Sequence, residues 1–241
     1  MRLVHWLLAG SIVAASACAD PALEQRLADL EKKVETLEKS GGAKGKAPAQ
    51  PQNTEEEQAA AKVLKEASGL AEKLKYDEAK AKLAELKSKY GKTRAARAAQ
   101  RLEREIGVVG VDAGSIEVEK WYQGETSMAD GKATLLVFWE VWCPHCKREV
   151  PKLNETHNKY KDKGLNVIGL TKITRNSTEE QVTAFIEERD VQYALAKEQG
   201  DSMSKRFGVS GIPAAAVVKD GKVVWRGHPA RLKDEMIEGW L

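Results

Sequence analysis

Residues 108–241 have the pattern of an α/β domain, a mixed central sheet with helices on both faces, and three observations predict it. Residues 135–139, Leu-Leu-Val-Phe-Trp, form a continuous apolar run of the kind found in a strand buried on both sides. A helical pattern through Val150, Leu153 and His157 follows. The alternation then returns as a strand at 166–170 and a helix at 178–189, opened by Ser177/Thr178-x-x-Glu. Asp220-Gly221 makes a hairpin turn between strands at 214–218 and 223–225, and an amphipathic helix over 230–240 closes the chain. Strands alternating with helices require a sheet covered on both faces.

Composition narrows the function classes. With 39 Lys+Arg against 36 Asp+Glu, the net charge of +3 is too small to hold a strong field over a phosphate backbone, so no nucleic-acid partner is expected. Aromatics are only 6% and mean hydropathy is −0.49, which places part of the 241 residues outside any compact core. No apolar run approaches the roughly 18–20 residues of a membrane-spanning helix.

The N-terminal segments are simpler. Arg2 precedes an apolar stretch, Leu3 to Ala17, ending in small residues, which is the form of a secretory signal over residues 1–17. Cleavage after Ala17 would leave Cys18 as a spare thiol. The sequence Ala15-Ser-Ala-Cys18 also resembles a bacterial lipobox, which implies lipidation of Cys18. That reading is preferred, because a lone reactive thiol is a liability in an oxidising compartment. Either route places the mature protein in the periplasm or cell envelope. In residues 18–39, Leu23, Leu27, Leu30, Val34 and Leu37 follow the a/d rhythm of a coiled coil, with Arg26 and Lys33 at g facing Glu31 and Glu38 at e. Pairing of two copies through 23–37 is one expectation; a solvated amphipathic helix is the other. Residues 40–53 are rich in Gly, Ala, Lys and Pro and read as a flexible linker.

Residues 54–107 hold no proline and are dominated by Ala, Lys, Glu and Leu. Thr54 with Glu57 suits a capping box. Val63, Leu64, Ala67, Leu70, Ala71 and Leu74 give one helix an apolar face; Tyr76, Ala79, Leu83, Leu86 and Tyr90 give a second, ended by Gly91. A third runs through Ala95, Ala99, Leu102 and Ile106. Small Ala at helix contacts and Tyr at turns resemble a tetratricopeptide (TPR) repeat, about one and a half of them. The resemblance implies a partner-binding or spacer module; a plain helical stalk fits as well.

Chemistry concentrates at Cys143-Pro-His-Cys146, directly after the buried strand. Two cysteines separated by two residues at a helix start can close a disulfide ring. Cys143 would sit at the helix N-terminus, where unpaired N–H groups favour a thiolate; Cys146, one turn on, is placed to resolve a mixed disulfide. A structural metal site is disfavoured, since no second Cys pair or His cluster completes it, and no cofactor is expected beyond the cysteine pair itself. His145 would add a cation beside the nucleophile when protonated.

Three motifs together, Val137-Phe-Trp-Glu-Val-Trp-Cys-Pro-His-Cys-Lys-Arg-Glu-Val-Pro151, Val209-Ser-Gly-Ile-Pro213 and Asp220-Gly-Lys-Val-Val224, resemble the thioredoxin superfamily over residues 112–241. Within it they are most similar to the TlpA/ResA-like extracytoplasmic thiol–disulfide oxidoreductases. The resemblance implies a thioredoxin-like fold in which Cys143 is the exposed nucleophile and Cys146 the buried resolving thiol. It implies that Pro213 is a cis-proline facing them, and that Glu149 is an acid tuning the thiols. Trp142, Pro144 and Ile212 would meet the protein substrate. The Pro-His dipeptide is similar to that of DsbA-type oxidases, whereas the surrounding frame is similar to reductases; reduction of substrates is preferred. A non-enzymatic envelope interaction protein is the alternative of another class. Peroxide chemistry is disfavoured, because Glu140 stands where a peroxidatic site carries Thr. The two-residue spacer is wrong for Sco-type copper delivery, and Lys147 stands where covalent haem attachment needs His. His157 and His228 are expected at the surface.

Overall fold

The computed structural model describes residues 25–26, 28–33 and 55–241. The signal sequence, Cys18, the linker, Thr54 and most of the heptad positions lie outside the described residues. A helical stretch covers residues 28–33, with Leu30 exposed, and it belongs to a separate unit from the rest. Asn53–Leu241 form one compact unit.

That unit opens with three helices, α1 (Glu55–Glu72), α2 (Tyr76–Tyr90) and α3 (Arg94–Gly107). Alanines carry their contacts. Ala60, Ala67, Ala79, Ala95 and Ala99 are buried together with Leu83, Leu86 and Ile106, and short side chains let the helix axes approach closely. Thr93 caps α3 by accepting from Ala96 N at 3.1 Å. Gly91 keeps a right-handed conformation, so it ends α2 without the left-handed turn glycine usually supplies there.

The sheet has six strands in the order β1-β4-β3-β2-β5-β6: β1 (Val118–Gln123), β2 (Ala133–Trp139), β3 (Leu165–Thr171), β4 (Ala194–Glu198), β5 (Ala214–Lys219) and β6 (Lys222–Gly227). β2, β3 and β4 run parallel; β5, β6 and β1 are antiparallel to their neighbours. The parallel pairs need crossovers. α4 (Pro144–Tyr160) joins β2 to β3, and α5 (Glu179–Glu188) joins β3 to β4. α6 (Ser202–Arg206) and α7 (Asp234–Trp240) complete the set. This mixed sheet with flanking helices is the thioredoxin-like arrangement.

Alternation along β2 divides the core. Leu135, Val137 and Trp139 face α4, α5 and α7, through Val150, Leu153, Phe185, Ile186, Ile237 and Trp240. Leu136 and Phe138 face the other way, toward Met203 and Phe207 of the α6 region. Opposite Val137 in β3 stands Gly169, where a Cβ would lie 2.1 Å from Leu195 Cδ2, so only glycine admits that packing. The strands at 118–123 and 194–198 and the short α6 were not anticipated from the sequence. The C-terminal helix is shorter than expected: Pro229–Arg231 is a 3-10 turn, and regular helix begins at Asp234.

The helical layer is fastened to the sheet in three ways. Tyr76 packs against all three hydrophobic clusters at once. Lys80 Nζ donates to Val109 O at 2.8 Å, and Arg231 pairs with Glu105. The connecting segment also adds to the edge of β6. Gly110 N donates to Val223 O at 2.8 Å, Val223 N to Val111 O at 3.0 Å and Ala113 N to Gly221 O at 2.8 Å.

The Tyr76 hydroxyl is buried without a hydrogen-bond partner among the described residues, and burial pushes its ionisation up. Tyr76→Phe should therefore shift unfolding free energy by less than about 1 kcal/mol. Tyr76→Ala, which empties the junction, should cost about 2–4 kcal/mol in urea unfolding. Equal losses in the two variants would show that the hydroxyl, not the ring, holds the junction.

Candidate active site

β2 delivers the chain from the core directly into the redox motif. Cys143 is the N-cap of α4, Pro144 takes the first helical position, and Cys146 lies one turn in. Both cysteines are free thiols. Cys146 N donates to Cys143 Sγ at 3.4 Å, so the helix N-terminus aims a main-chain N–H at that sulfur. The Ile212–Pro213 peptide bond is cis, and the Cys143 thiol donates to the Ile212 carbonyl at 3.8 Å.

Exposure departs from what the resemblance implied. Cys143 is only 4% exposed, because the loop ending in Ile212 and Pro213 lies over it. Cys146 is fully buried. Its thiol ionises well above the usual range, first because of burial and then because of the hydrogen bond with Cys143. The negative charge of Glu140 pushes in the same direction, while a main-chain hydrogen bond from Glu140 works against it.

Glu140, expected only to stand in place of a peroxidatic site's Thr, has a structural part in the site. It is 7% exposed, and its carboxylate accepts from Trp142 Nε1 at 2.6 Å and from the Thr174 hydroxyl. Trp142 Nε1 also reaches Thr174 Oγ1 at 3.0 Å, and the Arg175 guanidinium lies 3.9 Å from the Trp142 ring centroid. The half-buried Trp142 is thus held from its edge and its face at the rim of the site. A signal existed in the sequence: a carboxylate ending an apolar run must be paired if it is buried. What it pairs with could not be read.

Glu149 has its own cation. It pairs with Lys152 at 3.1 Å, and its charge is felt by His228. The exposed His145 accepts at Nδ1 from Arg148, 2.6 Å away. His157 and His228 are half-buried rather than surface residues, and burial lowers the ionisation of both. His157 packs near Tyr193, and His228 Nδ1 accepts from Ala230 N at 3.1 Å. Among the described residues, no group of three or more His, Cys, Asp or Glu could hold a metal ion.

A buried parallel strand ending in Cys-x-x-Cys at a helix start, with a cis-proline loop across from it, is the arrangement of the thioredoxin superfamily. Residues 109–226 match the AhpC/TSA family model, and this part of the chain is similar to ResA-type thiol-disulfide oxidoreductases. The chain is 33% identical over 109 residues to thiol-disulfide oxidoreductase ResA of Bacillus thuringiensis, covering 45% of this chain and 61% of the relative. It is 26% identical over 122 residues to the thioredoxin-like protein YneN of Bacillus subtilis, covering 49% and 71%. Thus it spans less than two thirds of the length of the ResA relative. Among solved structures, the thioredoxin domain of a thiol-disulfide oxidoreductase from Bacteroides vulgatus is similar, with 26% identity and a TM-score of 0.47, over 55% of this chain and 98% of that one.

In a Cys143→Ser variant, alkylation of Cys146 by iodoacetamide should rise with pH without levelling off up to about pH 10, since only the thiolate reacts. Removing the Glu140 charge stabilises that thiolate, so adding Glu140→Gln should move the curve to lower pH. A curve that stays in place would show that the Glu140 charge does not reach Cys146.

Proposed function

We propose that this protein is a thiol–disulfide oxidoreductase of the bacterial cell envelope that reduces disulfides in protein substrates. The observation that carries the reading is the pair of free thiols at the α4 N-terminus, one capping the helix and the other buried behind it. The name of the ResA relatives agrees with it.

The chemistry follows from that order. The Cys143 thiolate attacks one sulfur of a substrate disulfide, forming a mixed disulfide and expelling the other substrate sulfur as a thiolate, which takes a proton from water. Cys146 gives up its proton and attacks Cys143 Sγ, releasing the second substrate thiol. Two electrons have passed to the substrate, and a Cys143–Cys146 disulfide remains for an external dithiol to reduce. Pro213 and Ile212 present the backbone against which an extended substrate would lie, with Trp142 and Pro144 at the rim. Reduction is preferred over oxidation because the frame around the cysteines is similar to that of the reductases, although the Pro-His dipeptide is similar to that of DsbA-type oxidases. Lipidation at Cys18, the TPR-like role of residues 54–107 and pairing through 23–37 belong to the same proposal, as a tethered redox domain on a helical stalk. The domain division at 107/108 is kept as one of sequence character, since the two parts pack together.

Insulin-disulfide reduction by the full chain should fall by about 100-fold or more in Cys143→Ser, while Cys146→Ser should accumulate a mixed disulfide with substrate. Direction is read from the reduction potential of the pair. A value near about −270 mV supports a reductase, and one near about −120 mV an oxidase. No turnover in the unaltered protein would leave only the interaction-protein reading. Loss of membrane association in Cys18→Ser checks the tether.

A further inference from the structure

A large cleft of the compact unit lies away from the cysteines. It lies between α1 and α3 on one side and β6, Pro229–Arg231 and α7 on the other, and holds about 1000 Å³. That is the upper end of the range for ligand sites and far more than one side chain fills. Leu64, Leu102, Trp225 and Met236 line it with apolar surface. Lys73, Arg101 and Lys233 line it as well, none with an ion-pair partner among the described residues. Three carboxylates, Glu72, Glu105 and Glu235, stand at the same walls, Glu105 in its pair with Arg231.

The cleft adjoins the loop that carries Pro213. A narrow recess bounded by Ser210, Pro213 and Ala214 shares Arg101, Glu105, Arg226 and His228 with it. The charges of both Glu149 and His145, on the active-site helix, reach His228. At this junction the cations dominate. Arg226 is buried against main-chain carbonyls, Arg231 is paired with Glu105, and Arg101 stands free among the described residues. Lys147 and Arg148 are exposed on the first turns of α4, and Arg175 lies over Trp142, extending the same sign around the cysteines.

We propose that this cleft docks an extended segment of the substrate polypeptide flanking its reacting cysteine, a segment apolar in character with acidic residues nearest the cysteine. The proposal rests on the redox reading above and gives the helical layer a purpose within it: α1 and α3 form the second wall of a channel whose first wall is the redox domain. The backbone beside Pro213 takes the reacting residue, and the cleft takes the chain that follows or precedes it. Cationic walls raise the local concentration of such a segment, with gains in on-rate from about tenfold upward.

The test uses the full reduced chain and synthetic peptides joined through one cysteine to glutathione. One peptide is Gly-Cys-Gly; the others extend it on either side by about eight residues of Leu with Glu, or of Leu with Lys. The readout is the ratio of exchange rate constants, extended over short, by stopped-flow fluorescence. For a Leu/Glu extension it should be at least about tenfold. It should fall toward one in Arg101→Glu, and in Ala98→Trp, which fills the cleft from an exposed α3 position without touching the core. A ratio near one in the unaltered chain overturns the proposal, as does a gain that survives both substitutions or is matched by the Leu/Lys peptide. Fluorescence anisotropy of a labelled extended peptide with Ser in place of Cys separates docking from chemistry. Saturable binding lost in Arg101→Glu supports the cleft even if exchange fails, and no binding overturns it even if exchange succeeds. A dimer abolished by Ala98→Trp would assign the cleft to a second copy and also overturn the proposal.

Discussion

A strand that is buried on both faces excludes polar chemistry along its whole length, and β2 is buried from Ala133 to Trp139. Reactive groups can stand only where such a strand stops. Here the stop is abrupt: Glu140 carries a carboxylate into a nearly closed environment, and three residues later Cys143 caps a helix. The carboxylate must find donors, and it finds Trp142 and Thr174. The position of Trp142 at the rim is therefore a consequence of satisfying a buried charge.

The parts of this architecture that the sequence reveals are those whose cause is local. The run Leu135–Trp139, the Asp220-Gly221 turn and the three alanine-rich helices each declare themselves within a dozen residues. The cysteine spacing and the Pro213 motif do so too. β1 and β4 escape because their residues, Val-Glu-Lys-Trp-Tyr-Gln and Ala-Leu-Ala-Lys-Glu, carry no clean period of two; their pairing, not their composition, makes them strands. The five-residue α6 is too short to show a helical period.

Within the site, the limit is separation along the chain. That Cys143 is covered depends on Ile212, which closes over it from a loop 69 residues away, and the burial of Glu140 depends on Thr174, 34 residues away. The burial of Cys146 was implied by the resemblance; the part played by the Glu140 charge was not. His145 shows the reverse case. Its neighbour Arg148 is only three residues on, yet that the two side chains meet at 2.6 Å depends on how the helix presents them to each other.

The segment that leads out of the helices has a role beyond connection. By hydrogen-bonding through Gly110, Val111 and Ala113 to β6, it occupies ladder positions that would otherwise line an open border of the sheet. Unsatisfied borders of this kind recruit strands from other molecules. A shortened version of this protein, begun just after Ala113 to isolate the catalytic half, would carry a sticky seam along β6 and tend to self-associate; the natural lead-in acts as its selvedge.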